Sequence, residues 1–158
     1  VLFRSLAPGL TACSGDARPP YDTAVGDALD RVSVDTMTLF AALSTGTDPT
    51  TFHGREDRYN ALIGQTEALA LRAGARPMPE GGVSDAIDWV LDRDDGKPND
   101  AAKGPPSAHA LRKVADTLTK LRELDRTQGV TATQVRDFKA EITVYLDQAM
   151  AYENALRR

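Results

Sequence analysis

The chain has 158 residues, 41% hydrophobic and 27% charged, with 19 Lys and Arg against 23 Asp and Glu for a formal net charge of −4. That length and balance describe one globular domain with its own core, not a disordered chain. The mild acidity argues against nucleic acid, which needs clustered Lys and Arg to displace counterions, and no apolar run approaches the roughly 20 residues of a membrane-spanning helix.

Residues 1–5, Val1-Leu2-Phe3-Arg4-Ser5, translate back to GTG CTC TTC CGA TCT, the tail of a common sequencing adapter. We read them as an adapter remnant and leave them out of the fold. Cys13 is the single cysteine, so neither an intramolecular disulfide nor a thiolate metal cage is possible. It ends the run Leu10-Thr11-Ala12-Cys13: an aliphatic residue, two small residues and a cysteine. This run resembles the lipobox of bacterial lipoprotein signal peptides. The resemblance implies that residues 6–12 are the remnant of a signal peptide cut before Cys13. It also implies that Cys13 carries diacylglycerol on sulfur and an acyl chain on the new amino group. Ser14, where Asp would retain the protein at the inner membrane, leans to the outer membrane.

The chain is therefore similar to small helical lipoproteins of Gram-negative bacteria, anchored on the periplasmic face of the outer membrane. Three acyl chains would make that anchorage stable, where one holds only marginally. Residues 13–20 are the lipidated cysteine and its tether. The seven residues after Cys13 reach at most about 25 Å, so the domain at 21–158 is expected close to the lipid surface.

From Tyr21 to Leu43, Val25, Ala28, Leu29, Val32, Leu39, Phe40 and Leu43 share one face at 100° per residue with Tyr21, predicting a first helix. Val34 then points outward. Asp48-Pro49 is a helix start, with Asp48 as cap and Pro49 at the first position. The second helix runs to about Ala73, closed by Gly74. Its stripe is Phe52, Tyr59, Leu62, Ile63, Thr66, Leu69, Ala70 and Ala73. Residues 75–106 form an insertion with five prolines, in which Val83, Ile87, Val90 and Leu91 suggest a short helix and Trp89 a plug against the bundle.

Ser107 is expected to cap a third helix that buries Leu111, Val114, Ala115, Leu118 and Leu121 and ends near Gly129. Thr131 and Gln134 spell a capping box, with Val130 and Val135 as the hydrophobic staple across it. The fourth helix shows Val135, Phe138, Ile142, Tyr145, Ala149, Tyr152 and Leu156, alternating three and four apart, the seam of a bundle helix. The fold class is all-α: an up-down-up-down four-helix bundle with the 75–106 insertion.

Motifs that carry chemistry are few in this chain. Neither His53 nor His109 follows an acid at the Glu-x-x-His spacing of bundle metal sites, so no metal and no cofactor is expected. Asp92-Arg93-Asp94-Asp95-Gly96 fails the calcium-loop register, because the first two ligand positions fall on Leu91 and Arg93. Gly-x-Ser-x-Gly and phosphate-loop patterns are absent, so no catalytic residue is named and no enzyme is expected. One constellation stands out. Arg55 lies on the seam of the second helix and Asp125 on that of the third, at the same end of the bundle, near His53 and Arg136. Read functionally, Arg55, Tyr59, Asp125 and Tyr145 are candidates to bind a small anion. Read structurally, Arg55 and Asp125 are an ion pair closing the bundle end, and Tyr59, Tyr145 and Tyr152 are core aromatics.

The leading expectation is a non-enzymatic, lipid-anchored periplasmic helical bundle with a structural or partner-binding role; an envelope partner met away from the membrane would be sought at the distal end. The rivals are a small-ligand carrier, for which a tyrosine-lined pocket of about 300 Å³ would speak, and an enzyme with a site around 75–106. Alternating topology puts Arg18, Arg72, Arg76, Arg157 and Arg158 at the membrane-proximal end, facing the headgroups.

Overall fold

The computed structural model describes residues 20–76 and 104–157. It contains four α-helices: α1 Thr23–Leu43, α2 His53–Gly74, α3 Pro106–Thr127 and α4 Ala132–Leu156. A 3-10 turn, Pro49–Thr51, precedes α2. No strand occurs among the described residues. Each helix packs on its sequence neighbours, and α1 also packs on α4, closing the ring. Asp22 at the start of α1 pairs with Arg72 near the end of α2, and Arg76, just past α2, pairs with Glu153 near the end of α4. Arg55 near the start of α2 pairs with Asp125 near the end of α3. Neighbouring helices are therefore antiparallel, and the bundle runs up-down-up-down. The end holding Asp22, Arg76 and Glu153 is called proximal below, and the end holding Arg55 and Asp125 distal.

The apolar stripes of α1 to α3 go where the periodicity puts them. Val25, Leu29, Val32, Leu39, Phe40 and Leu43 are buried on α1, and the whole predicted stripe of α2 is buried with them. On α3, Leu111, Leu118 and Leu121 are fully enclosed; burying one such leucine contributes about 1.5–3 kcal/mol. Val34 is 64% exposed, as the stripe requires. Thr36 and Thr66 enter the core because each hydroxyl donates back to the carbonyl one turn earlier, on Val32 at 2.6 Å and on Leu62 at 2.8 Å.

Three local expectations need correction. Gly74 is the last residue of α2 rather than a left-handed stop; Ala75 follows in right-handed geometry, its N–H shared among carbonyls of the last turn. Ser107 does not cap α3. Pro105 stands at the cap, Pro106 takes the first position, and Ser107 lies inside the helix, fully buried. The seam of α4 is also shifted. Val135, Ile142, Leu146, Ala149 and Glu153 are buried, whereas Phe138, Tyr145 and Tyr152 are only partly so. A strict three-four alternation repeats every 3.5 residues, but a straight helix turns every 3.6 and drifts about 20° per heptad. By its last turns the face has moved from Tyr145 and Tyr152 to Leu146 and Glu153.

The capping box is formed as expected. The Thr131 hydroxyl accepts from Gln134 N–H at 3.3 Å, and the Gln134 side chain accepts from Thr131 N–H at 2.9 Å. Val130 and Val135, the two residues of the staple, are both buried. Two loops stack at this end, and glycine makes that possible. Gly46 and Gly129 have φ of 89° and 73°. A Cβ on Gly46 would lie 2.8 Å from the Val130 carbonyl oxygen, and one on Gly129 would run into the Thr47 carbonyl. Both positions thus need glycine for conformation and for space.

The short helix expected within 75–106, the acidic loop at 92–96, Arg18, Arg158, Cys13 and its lipobox lie outside the described residues. No described helix is long and apolar enough to cross a membrane.

Candidate functional site

Asp125 is fully buried in the last turn of α3. Its carboxylate cannot stay charged there without donors on every lone pair. Arg55, in the first turn of α2, supplies two: Nε donates to Oδ2 at 2.9 Å and Nη2 to Oδ1 at 2.8 Å. This is the bidentate fork that only arginine offers. Tyr59, one turn further along the same face, donates its hydroxyl to Oδ2 at 3.2 Å. The Thr47 hydroxyl, from the loop between α1 and α2, donates to Oδ1. Thr47 also accepts from Val130 N–H at 3.0 Å and donates its own N–H to the Val130 carbonyl at 2.8 Å. One side chain therefore joins both distal loops to the buried acid.

The rest of the Arg55 guanidinium is equally occupied. Nη1 donates to the Thr51 carbonyl at 3.1 Å and its hydroxyl at 2.8 Å, and Nη2 to the Asp48 carbonyl at 3.3 Å. All N–H groups of the guanidinium and both oxygens of the carboxylate are thus committed within the protein. Burial alone would push the Asp125 pKa up; the hydrogen bonds from Arg55 and Thr47 and the charge of Arg55 overcome it and hold the carboxyl below its usual range. The same bonds raise Arg55. Burial, and then the Asp125 charge, push the Tyr59 hydroxyl far above its usual range, so it stays a donor. The cluster is a lock: it can fix the bundle end, but it offers no open donor to an incoming anion.

Of the four candidate ligand-binding residues, Arg55, Tyr59 and Asp125 meet and Tyr145 does not. Tyr145 is partly buried against the core, about 20 Å along α4 from the distal cap. His53 is exposed and faces Glu56 at 3.7 Å, and Arg136 is exposed and donates to Thr133. Thr47 was missed because a loop threonine has no periodicity to mark it.

The proximal end holds a second buried pair that periodicity did not reveal. Arg76 Nη1 donates to both Glu153 oxygens, at 3.0 and 2.8 Å. The side chains are 7% and 3% exposed, so Arg76 turns inward instead of facing outward among the other proximal arginines. Glu153 fell off the strict three-four seam; continuing Ile142, Leu146 and Ala149 at 3.6 residues per turn leads to it. At this end of the bundle Arg76 Nε and Nη2, Ser107 Oγ and the Tyr152 hydroxyl are buried with no hydrogen-bond partner among the described residues. Burial, and then the nearby Glu153 charge, raise the Tyr152 pKa, while the Arg76 charge acts against them.

An open groove of about 410 Å³ runs between α1 and α2, lined by Ala28, Arg31, Val32, Asp35, Gln65, Ala68, Leu69 and Arg72. It is large enough for a small ligand, but no tyrosine lines it, so it is not the pocket a tyrosine-based carrier would use. Among the described residues no three His, Cys, Asp or Glu side chains are grouped to hold a metal ion. No family model matches the chain, and neither the curated proteins nor the solved structures include a match to it.

Proposed function

We propose that the chain is a lipid-anchored helical bundle on the periplasmic face of the outer membrane that works by binding an envelope partner, with Cys13 as the anchor. One observation carries the reading: α1 starts at the same end at which α2 and α4 finish, since Asp22 pairs with Arg72 and Arg76 with Glu153. A tether of residues 13–20 entering α1 would bring that whole end to the lipid and hold the locked end, with Arg55, Asp125 and the Thr131 cap, about 30–40 Å away. A rigid, fully hydrogen-bonded tip suits presentation to a partner, because little ordering entropy is lost on docking. The saturation of the Arg55–Asp125 cluster favours this over ligand carriage at that tip.

Mass spectrometry of membrane-fraction protein tests the anchor. The mature chain is expected to begin at Cys13 with three acyl chains. The variant Cys13→Ala is expected in the soluble periplasmic fraction. Unmodified Cys13, or a variant that stays with the membrane, rejects the reading.

A further inference from the structure

The proximal pair is unfinished in a directional way. A guanidinium presents two oxygen-binding edges, and the Nε–Nη2 edge is the fork that grips two oxygens of one planar or tetrahedral anion. Glu153 does not use it: both of its oxygens sit on Nη1. Among the described residues Nε and Nη2 have no partner, on a side chain only 7% exposed. Leaving such donors empty in a low-dielectric site is costly.

Two hydroxyls at the same end share the condition. Ser107 is fully buried in the first turn of α3, and its neighbour Ala108 lies against Gly74, two residues before Arg76. Tyr152 precedes Glu153 on α4, and its hydroxyl oxygen is buried. Among the described residues, arginine dominates the charge at this corner. The Arg112 guanidinium lies across Gly74, and Arg157 follows Glu153 by one turn, while Arg72 is matched by Asp22. With Glu153 neutralising Arg76, these arginines leave the corner able to accept one further negative charge.

We propose that this corner is a binding site for a single small oxyanion, a carboxylate or a phosphate, held on the Nε–Nη2 edge of Arg76 with the hydroxyls of Ser107 and Tyr152 as flanking donors. The site is separate from the distal cluster and does not depend on the lipid anchor. It takes up the functional reading that the saturated Arg55–Asp125 pair does not.

The test is anion binding to the folded full-length chain, followed by calorimetry or by amide chemical shifts at constant ionic strength. Inorganic phosphate and acetate are the probes, and chloride is the reference. Saturable one-site binding of at least one probe is expected, with shifts centred on Arg76, Ser107 and Tyr152. Arg76→Lys keeps the charge opposite Glu153 but loses the fork, and is expected to weaken binding at least about tenfold. Ser107→Ala and Tyr152→Phe keep the packing and are each expected to weaken it several-fold. Binding of phosphate alone assigns a phosphoryl ligand, and of acetate alone a carboxylate. Failure of both probes to bind at 50 mM, roughly a hundred times the sub-millimolar Kd a fork with two further donors should reach, overturns the proposal. So does binding that all three variants leave unchanged. The outcome is independent of acylation at Cys13, which mass spectrometry reads separately.

Discussion

The two ends of the bundle solve the same problem differently. Each buries one arginine against one carboxylate where helices converge. At the distal end Asp125 takes four hydrogen bonds, from Arg55, Tyr59 and Thr47, and Arg55 spends its remaining N–H groups on Thr51 and Asp48. At the proximal end one nitrogen of Arg76 holds both oxygens of Glu153, and the other edge of the guanidinium has no partner among the described residues. A buried polar network gains from low dielectric only when each member is satisfied; a half-satisfied one carries the desolvation cost without the return. The difference teaches that burial of an ion pair does not reveal its role. What its remaining donors and acceptors touch separates a fastener from a receptor.

The largest expected effect comes from breaking the fastener. Asp125→Ala leaves Arg55 charged, with 18% of its side chain exposed, and frees the donors of Thr47 and Tyr59. Removing one member of a buried pair costs about 3–5 kcal/mol, to be read from urea unfolding of the variant against the parent chain. A loss under about 1 kcal/mol would mean that the distal network contributes no more than a surface ion pair. The same network sets a pH dependence. The Asp125 carboxyl titrates below its unfolded value, so its contribution is complete above the unfolded pKa and is lost as pH falls through the folded one. Stability should therefore decline from about pH 4 downward, and Asp125→Asn should flatten that acid limb.

The proximal pair should respond in the opposite sense. Replacing both members, Arg76→Leu with Glu153→Leu, removes two costly desolvations and the unpartnered donors together. In buffer without phosphate or carboxylates the double variant is expected to be neutral to about 4 kcal/mol more stable. A loss of several kcal/mol would show that the described contacts underrate this end and would erase the contrast. Glu153→Leu alone should destabilise, because it leaves Arg76 with no partner.

These contrasts also show how much could be read without coordinates. The four helices and the stripes of α1 to α3 follow from apolar spacing, because a long helix that buries one face must repeat it. Arg55 and Asp125 were legible as a pair for the same reason: a charge on an apolar seam needs a partner at the same height. Thr47 was not, since a loop residue acquires its neighbours only when two loops stack. Arg76 lies past the end of α2, where no stripe marks it, and its partner Glu153 was hidden by a small geometric error. Reading α4 at 3.5 instead of 3.6 residues per turn put Tyr152 in the core and Glu153 outside. Ser107 was misread because a serine before an apolar run looks like a cap, yet two prolines ahead of it had already started the helix. The saturation of one pair and the open edge of the other are three-dimensional facts that no spacing encodes.

The smallest expected effect sharpens the boundary of the distal lock. Thr131 caps α4 beside Val130, whose N–H and carbonyl are held by Thr47. If the cap and the buried network are separate devices, Thr131→Ala removes only a helix cap and costs about 1 kcal/mol. Amide exchange should then quicken in the first turn of α4 while Gly129 N–H, bonded to the Asp125 carbonyl at 3.2 Å, keeps its protection. If protection at Gly129 falls as well, the cap, the stacked loops and the buried pair open as one unit. The geometry favours the first outcome. The hydroxyl of Thr131 bonds only within its own turn, whereas the hydroxyl of Thr47 reaches both Asp125 and Val130. Thr47→Val should accordingly cost more than Thr131→Ala, because it removes the one side chain that both loops share.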